Sequence, residues 1–135
     1  MYHGWNVDDV CRCVDICIGV FTVIEIFNLH KEKSSLPYEF IVDRTTVLGN
    51  PYYMDKEHSR DEVCDFYDDY LRDKIAEKDP AIINELNRLY SVYVRYGKLR
   101  LFCWCAPERC HAETIKRVLL DKFQEREGRK HWLKK

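Results

Sequence analysis

Hydrophobic positions along the chain recur with two different periods. The longest runs have the period of a helix. After Ser59, the residues Val63, Phe66, Tyr67, Tyr70, Leu71 and Ile75 recur at i, i+3, i+4, i+7, i+8 and i+12, a wide apolar stripe. Ser59-Arg60-Asp61-Glu62 precedes it with the S-x-x-E spacing in which a hydroxyl and a carboxylate reciprocally satisfy two orphan helix donors. Asp79-Pro80 repeats a start signal, an acceptor side chain before a proline whose missing N–H costs nothing in a first turn. Ile82, Ile83, Leu86, Leu89, Tyr90 and Tyr93 then carry a second helix to Gly97, a suitable stop. From about His111 a third helix buries Ile115, Val118, Leu119 and Phe123, and the charge from Glu125 onward predicts fraying into a basic tail, 126–135.

Period two marks the strands. In Leu99 to Cys105, Leu99, Leu101, Cys103 and Cys105 share one face, while Arg100, Phe102 and Trp104 share the other. Val20 to Phe27 is β-branched and aromatic and predicts a strand buried on most of its surface, ending at Asn28. Tyr38 to Asp43 predicts a further short strand after the polar loop Lys31 to Pro37, and Arg44 to His58 is irregular. Residues 7–18 have helical spacing behind Asn6, within an N-terminal extension, 1–19. Strands alternating with helices predict an α/β fold, a small three-layer, Rossmann-like domain over 20–125 with a partly parallel sheet.

Composition narrows the classes. At 135 residues, 46% hydrophobic and 33% charged, the chain has room for one core. Lys plus Arg is 22 against 23 Asp plus Glu, which removes the basic footprint of a dedicated nucleic-acid binder. No run approaches the roughly 18 apolar residues of a membrane span. Asp8, Asp9, Arg12 and Asp15 interrupt any secretory pattern near the start, so the cytoplasm is the expected compartment. Seven cysteines, an odd number, cannot all pair internally. Cys11, Cys13 and Cys17 fall in the extension, Cys64 on a helix, and Cys103, Cys105 and Cys110 in one cluster.

That cluster, Cys103 to His111, falls where a strand ends and a helix begins, the location of ligand crevices in open α/β sheets. A cysteine at a helix N-terminus has its thiolate stabilised by the dipole, so Cys110 and His111 are the candidate reactive pair. Zinc held by Cys103, Cys105, Cys110 and His111 is a competing reading, against which C-x-C is tight and adjacent Cys-His diverges. A third reading makes Cys103 and Cys105 small inward hydrophobes. Gly49-Asn50-Pro51 offers a turn with an amide in its centre, and Trp104 an aromatic face. Arg60 opposes the dipole in a first helical turn, where an anion nearby would compensate it, and Arg44 can join it. Asp65, Asp68, Asp69 and Asp73 read as a solvated face.

The run Leu101 to His111, with Gly49-Asn50-Pro51 and Arg60, resembles the bacterial and phage family called domain of unknown function 4326. Asn28, Arg44, Gly49 to Pro51, Arg60 and the C-x-C-A-P-x-x-C-H signature at Cys103 to His111 carry the resemblance, over roughly 20–125. Ala112 departs from it, a glycine often following the histidine. The resemblance implies that these scattered residues converge on one pocket. Two arginines, an Asn, Trp104 and a helix N-terminus suit a small anionic ligand with a stackable ring, such as a nucleotide or nucleoside. The leading expectation is a protein that binds such a ligand through Asn28, Arg44, Gly49, Asn50, Pro51, Arg60 and Trp104, with hydrolysis or group transfer at Cys110 and His111 left open. A non-catalytic nucleotide-sequestering binder and a zinc-stabilised interaction module are the alternatives. Tyr-rich helix faces leave homo-oligomerisation open.

Overall fold

The computed structural model describes Trp5 and residues 23–29, 36–104 and 108–133. Its elements run in the order β1 (Val23–Asn28), β2 (Glu39–Ile41), α1 (Arg60–Ala76), α2 (Pro80–Tyr96), β3 (Lys98–Cys103) and α3 (Ala112–Leu133). The strands form one sheet in the order β1-β3-β2, and β3 runs parallel to both neighbours. This is a small α/β domain. The helix expected over 7–18, with Cys11, Cys13 and Cys17, lies outside the described residues, as do Val20 to Thr22 and Cys105 to Pro107.

The helix boundaries follow from their caps. Ser59 Oγ accepts the Glu62 N–H at 3.2 Å, and Glu62 Oε1 accepts the Ser59 N–H at 3.4 Å, closing the capping box. Asp79 Oδ1 accepts from the Ala81 and Ile82 N–H groups, and α2 ends at Gly97, whose φ of 72° is open to a residue without Cβ.

The sheet register sorts its side chains into rows. Ile26, Leu101 and Phe40 lie side by side across the three strands, and Ile24 pairs with Leu99, on the face that joins the core. On the opposite face, Arg100 stands between Glu25 and Glu39, 3.9 and 3.1 Å from their carboxylates. Phe27 stacks on Phe102 at 5.5 Å beside them. Only Ile24 of β1 is fully buried, because β1 is an edge strand and its Glu25 belongs to this polar row. The burial on most sides expected of Val20 to Phe27 is found instead in the central strand, β3, where Leu99, Leu101, Phe102 and Cys103 are all buried.

The helices contribute Tyr67, Leu71 and Ile75, then Ile82, Leu86, Leu89, Tyr90 and Tyr93, then Ile115, Val118 and Leu119 to the same core. Phe66 and Tyr70, which belong to the α1 stripe in sequence, turn partly outward. The third helix continues to Leu133, past the point where charge alone predicts fraying. Lys122 and Arg126 are buried on it, and the Lys122 ammonium lies 5.6 Å from the Trp5 ring centre and 3.5 Å from Glu125. The long Lys122 stem covers apolar surface while its charge finds these partners.

Trp5 shows that the N-terminal segment is not wholly peripheral. Its indole is buried edge-on against Tyr90 at 6.1 Å, and its N–H donates to Asn87 Oδ1 at 2.6 Å. Trp5→Ala is expected to lower the unfolding free energy by about 3–5 kcal/mol in a urea titration, since it removes a large buried ring and orphans Asn87. A loss under about 1 kcal/mol would show that the core closes without the Trp5 ring.

Candidate functional site

The site is built where β2 and β3 end. Past Ile41 the ladder continues for one bond, Val42 N–H to the Phe102 carbonyl at 3.0 Å, and then the chain turns. Asp43 organises the turn: its carbonyl accepts the Thr46 N–H, and its Oδ1 accepts the Thr45 N–H and hydroxyl at 3.0 and 2.5 Å. The other carboxylate oxygen accepts the Trp104 indole N–H at 3.0 Å. These bonds, the Thr45 hydroxyl first, hold the Asp43 carboxyl below the usual carboxylate range although burial opposes them.

His111 closes the site from the other side. The carbonyls of Cys110 and His111 accept the first N–H groups of α3, so His111 sits in the turn that starts the helix. Its Nε2 meets the Val42 carbonyl. A carbonyl only accepts, so Nε2 carries the proton and Nδ1 the lone pair. Burial pushes the imidazole below its ordinary value, and the Arg44 charge adds to this. His111 is therefore neutral near pH 7.

Asp43, Arg44, Thr45, Cys103, Trp104 and His111 line one cavity of about 240 Å³ at the carboxyl end of the sheet. The volume falls below the roughly 300–1,000 Å³ of complete small-molecule pockets. Trp104 stands at the mouth, half of its surface exposed, with its ring fixed by the bond to Asp43.

Of the residues singled out in the sequence, Arg44, Trp104, Cys103 and His111 thus meet around one space. Asn28 lies beside them at the end of β1, donating from Nδ2 to the Trp104 carbonyl at 3.3 Å. Asn50 is buried and used by the loop itself: Oδ1 accepts the Tyr52 N–H, Nδ2 reaches the Val63 carbonyl, and its own carbonyl accepts from Arg44. Gly49 permits the loop to close, because a Cβ there would stand 2.5 Å from the Asp43 carbonyl oxygen and 2.7 Å from Arg44 Cα. Pro51 lines a different, larger hollow.

Arg60 finds its anion within the chain, at Glu108, 2.9 Å away, and also donates to the Arg109 carbonyl. Arg109 reaches back to Asp61 and Asp65 at 3.0 and 2.8 Å. The two arginines clamp the turn before α3 to the start of α1. Cys110 is buried, its Sγ 3.1 Å from Cys103 Sγ, and it does not line the cavity. For zinc, Cys105 is outside the described residues, and among the described residues no three Cys, His, Asp or Glu side chains converge as a metal site.

Asp43, Thr45 and Tyr67 were missed in the sequence. Asp43 reads there as the last residue of a strand, and the Asp-x-Thr spacing of an Asx turn was the available signal. Tyr67 reads as one member of a stripe. Its phenol, which burial pushes up and keeps protonated, donates to the Leu48 carbonyl at 2.6 Å, and its ring packs edge-on to His111 at 5.1 Å.

The chain is a small parallel α/β protein with a small recess at the carboxyl ends of its strands. The chain belongs to the family described as Domain of unknown function (DUF4326), whose model matches residues 27–121 and so takes in every residue of the small cavity. No curated protein and no solved structure matches the chain. Among the described residues, no helix is long and apolar enough to cross a membrane.

Tyr67→Phe leaves the Leu48 carbonyl buried without its phenol, and a denaturant titration should show a loss of about 1–3 kcal/mol. His111 binds a proton more readily unfolded than folded, so its contribution is complete above its ordinary value of about 6.5 and is lost as pH falls below that value. The midpoint of thermal unfolding should therefore drop between pH 7 and 5, and drop less in His111→Gln, which keeps a donor for Val42 without the titration. Equal pH dependence in both proteins would overturn the assignment. Asp43 does not confuse the window, since its lowered range lies below pH 4.

Proposed function

We propose that this protein binds a nucleoside- or nucleotide-like ligand in the recess at the ends of β2 and β3. One observation carries the reading. A half-exposed Trp104 ring is locked by its indole N–H to Asp43 at the mouth of a cavity that also holds Arg44 and His111. A fixed aromatic face in solvent is a stacking platform whose ordering is complete before the ligand arrives. The cavity behind it fits a sugar-sized moiety. Asp43 keeps about one acceptor position for a hydroxyl, since a carboxylate has about four and Thr45 and Trp104 use three. The Arg44 guanidinium supplies the charge for an anionic group.

A catalytic form of the reading uses His111. Neutral, with Nε2–H committed to Val42, it offers Nδ1 as a base beside an ionised carboxylate, which is the protonation state that hydrolysis or group transfer asks of it. Cys110, buried behind Cys103, is not used in this form.

Isothermal titration with adenosine, guanosine and uridine and their monophosphates tests the proposal. At least one monophosphate should bind. Trp104→Ala should weaken it roughly 5- to 150-fold, the equivalent of about 1–3 kcal/mol of base stacking. Arg44→Gln should narrow the gap between monophosphate and nucleoside. No binding by any of the six compounds, or no effect of Trp104→Ala, would sink the reading. If a bound compound is turned over and His111→Gln stops turnover while binding persists, the catalytic form holds.

A further inference from the structure

A second hollow, larger than this recess, lies away from it. It is an open trough of about 710 Å³ between the 51–58 segment and the outer side of α1. Its floor is aromatic: Tyr52 meets Phe66 at 5.5 Å and Tyr70 at 6.2 Å, the latter edge-on. Tyr52, Tyr53 and Phe66 line it and are exposed, Tyr53 at 67%, and Met54, next in sequence, is exposed as well. Isolated exposed apolar residues need no explanation, whereas a contiguous patch marks an interaction surface.

Its charge is one-sided. Asp55, Asp69, Asp73 and Glu77 line it against Lys74 and His58. Lys74 lies 3.8 Å from Glu77 and 3.9 Å from Asp79, and His58 lies 3.5 Å from Glu62. The carboxylates of α1 divide between two flanks. Asp61, Asp65 and Asp68 are taken by Arg109 and Arg117. Asp69 and Asp73, on the trough side, make no ion pair among the described residues. The chain's own cations already use these rings: the Lys74 ammonium lies 5.8 Å from the centre of Tyr70, and the Arg44 guanidinium 4.0 Å from that of Tyr53.

We propose that the Tyr52–Phe66–Tyr70 trough, with Asp69 and Asp73 on its wall, docks an arginine-bearing peptide segment of a partner protein. A guanidinium lies flat on an aromatic face and takes a carboxylate with two parallel bonds, so the paired chemistry of this trough matches arginine better than any neutral group. A peptide fits better than a free small cation. An open trough leaves most of a small ligand in water, whereas a peptide anchors one side chain there and rests its flanks on Tyr53 and Met54. The surface lies outside the proposed nucleotide recess and shares no lining residue with it.

Fluorescence anisotropy with a labelled octa-arginine peptide and the full chain tests this. Saturable binding is expected. Phe66→Leu, which keeps apolar packing but removes a ring, should weaken it about fivefold, and Asp69→Asn with Asp73→Asn about tenfold or more. Glu113→Gln, a charge change on α3, should alter it less than twofold, and circular dichroism establishes that each variant folds. Unchanged affinity in Phe66→Leu, or an equal loss in Glu113→Gln and in the variant with Asp69→Asn and Asp73→Asn, reduces the binding to overall charge and overturns the proposal. Displacement of the peptide by spermine at or below the peptide's own concentration also overturns it, making a free polyamine the occupant.

Discussion

A hydrogen bond between residues 69 positions apart, His111 Nε2 to the Val42 carbonyl, ties the first turn of α3 to the end of β2. Without it the cavity has no second wall. The bond also chooses the imidazole tautomer, because a carbonyl can only accept, and burial keeps that imidazole neutral. Tyr67 supports the ring from α1 and holds Leu48 in the same loop. Asp43, next to Val42, extends the arrangement to Trp104. One loop therefore depends on groups from β3, α1 and α3, and the site is a consequence of how they meet.

The charged residues around it have mostly structural work. Arg60 and Arg109 exchange contacts across the gap between α1 and the turn before α3, pairing with Glu108, Asp61 and Asp65. Exposed pairs of this kind contribute little stability singly, but a reciprocal set fixes the orientation of a turn. The placement of His111 and Cys110 follows from that orientation. Arg44 stands between the two hollows. It lines the recess, donates to the carbonyls of Asn50 and Tyr52, and lies over Tyr53 at the edge of the trough.

Helix α1 shows how one apolar stripe can serve two surfaces. Val63, Tyr67, Leu71 and Ile75 go to the core, while Phe66 and Tyr70 turn toward the 51–58 segment. A stripe wider than the core contact leaves apolar surface over, and here aromatic residues and carboxylates occupy the remainder.

Local physics was legible in the residues. The capping box at Ser59, the Asp79-Pro80 start and the Gly97 stop are interactions within a few positions, so spacing alone located α1 and α2. The alternation at Leu99 to Cys103 identified β3 for the same reason. The cluster before α3, Trp104 included, was also visible as a pattern of chemistry-bearing types, whereas the convergence of Arg44 on it was implied only by the family resemblance. What required the tertiary structure was every pairing at a distance: that β3 is the central strand and β1 an edge, that Asn50 serves its own loop, that Arg60 is met by Glu108, and that Asp43 is the organising carboxylate. Short-range hydrogen bonds and hydrophobic periods are written in neighbouring residues. Which carboxylate meets which cation across 40 to 70 positions is decided by the packing of elements, and no period in the chain records it.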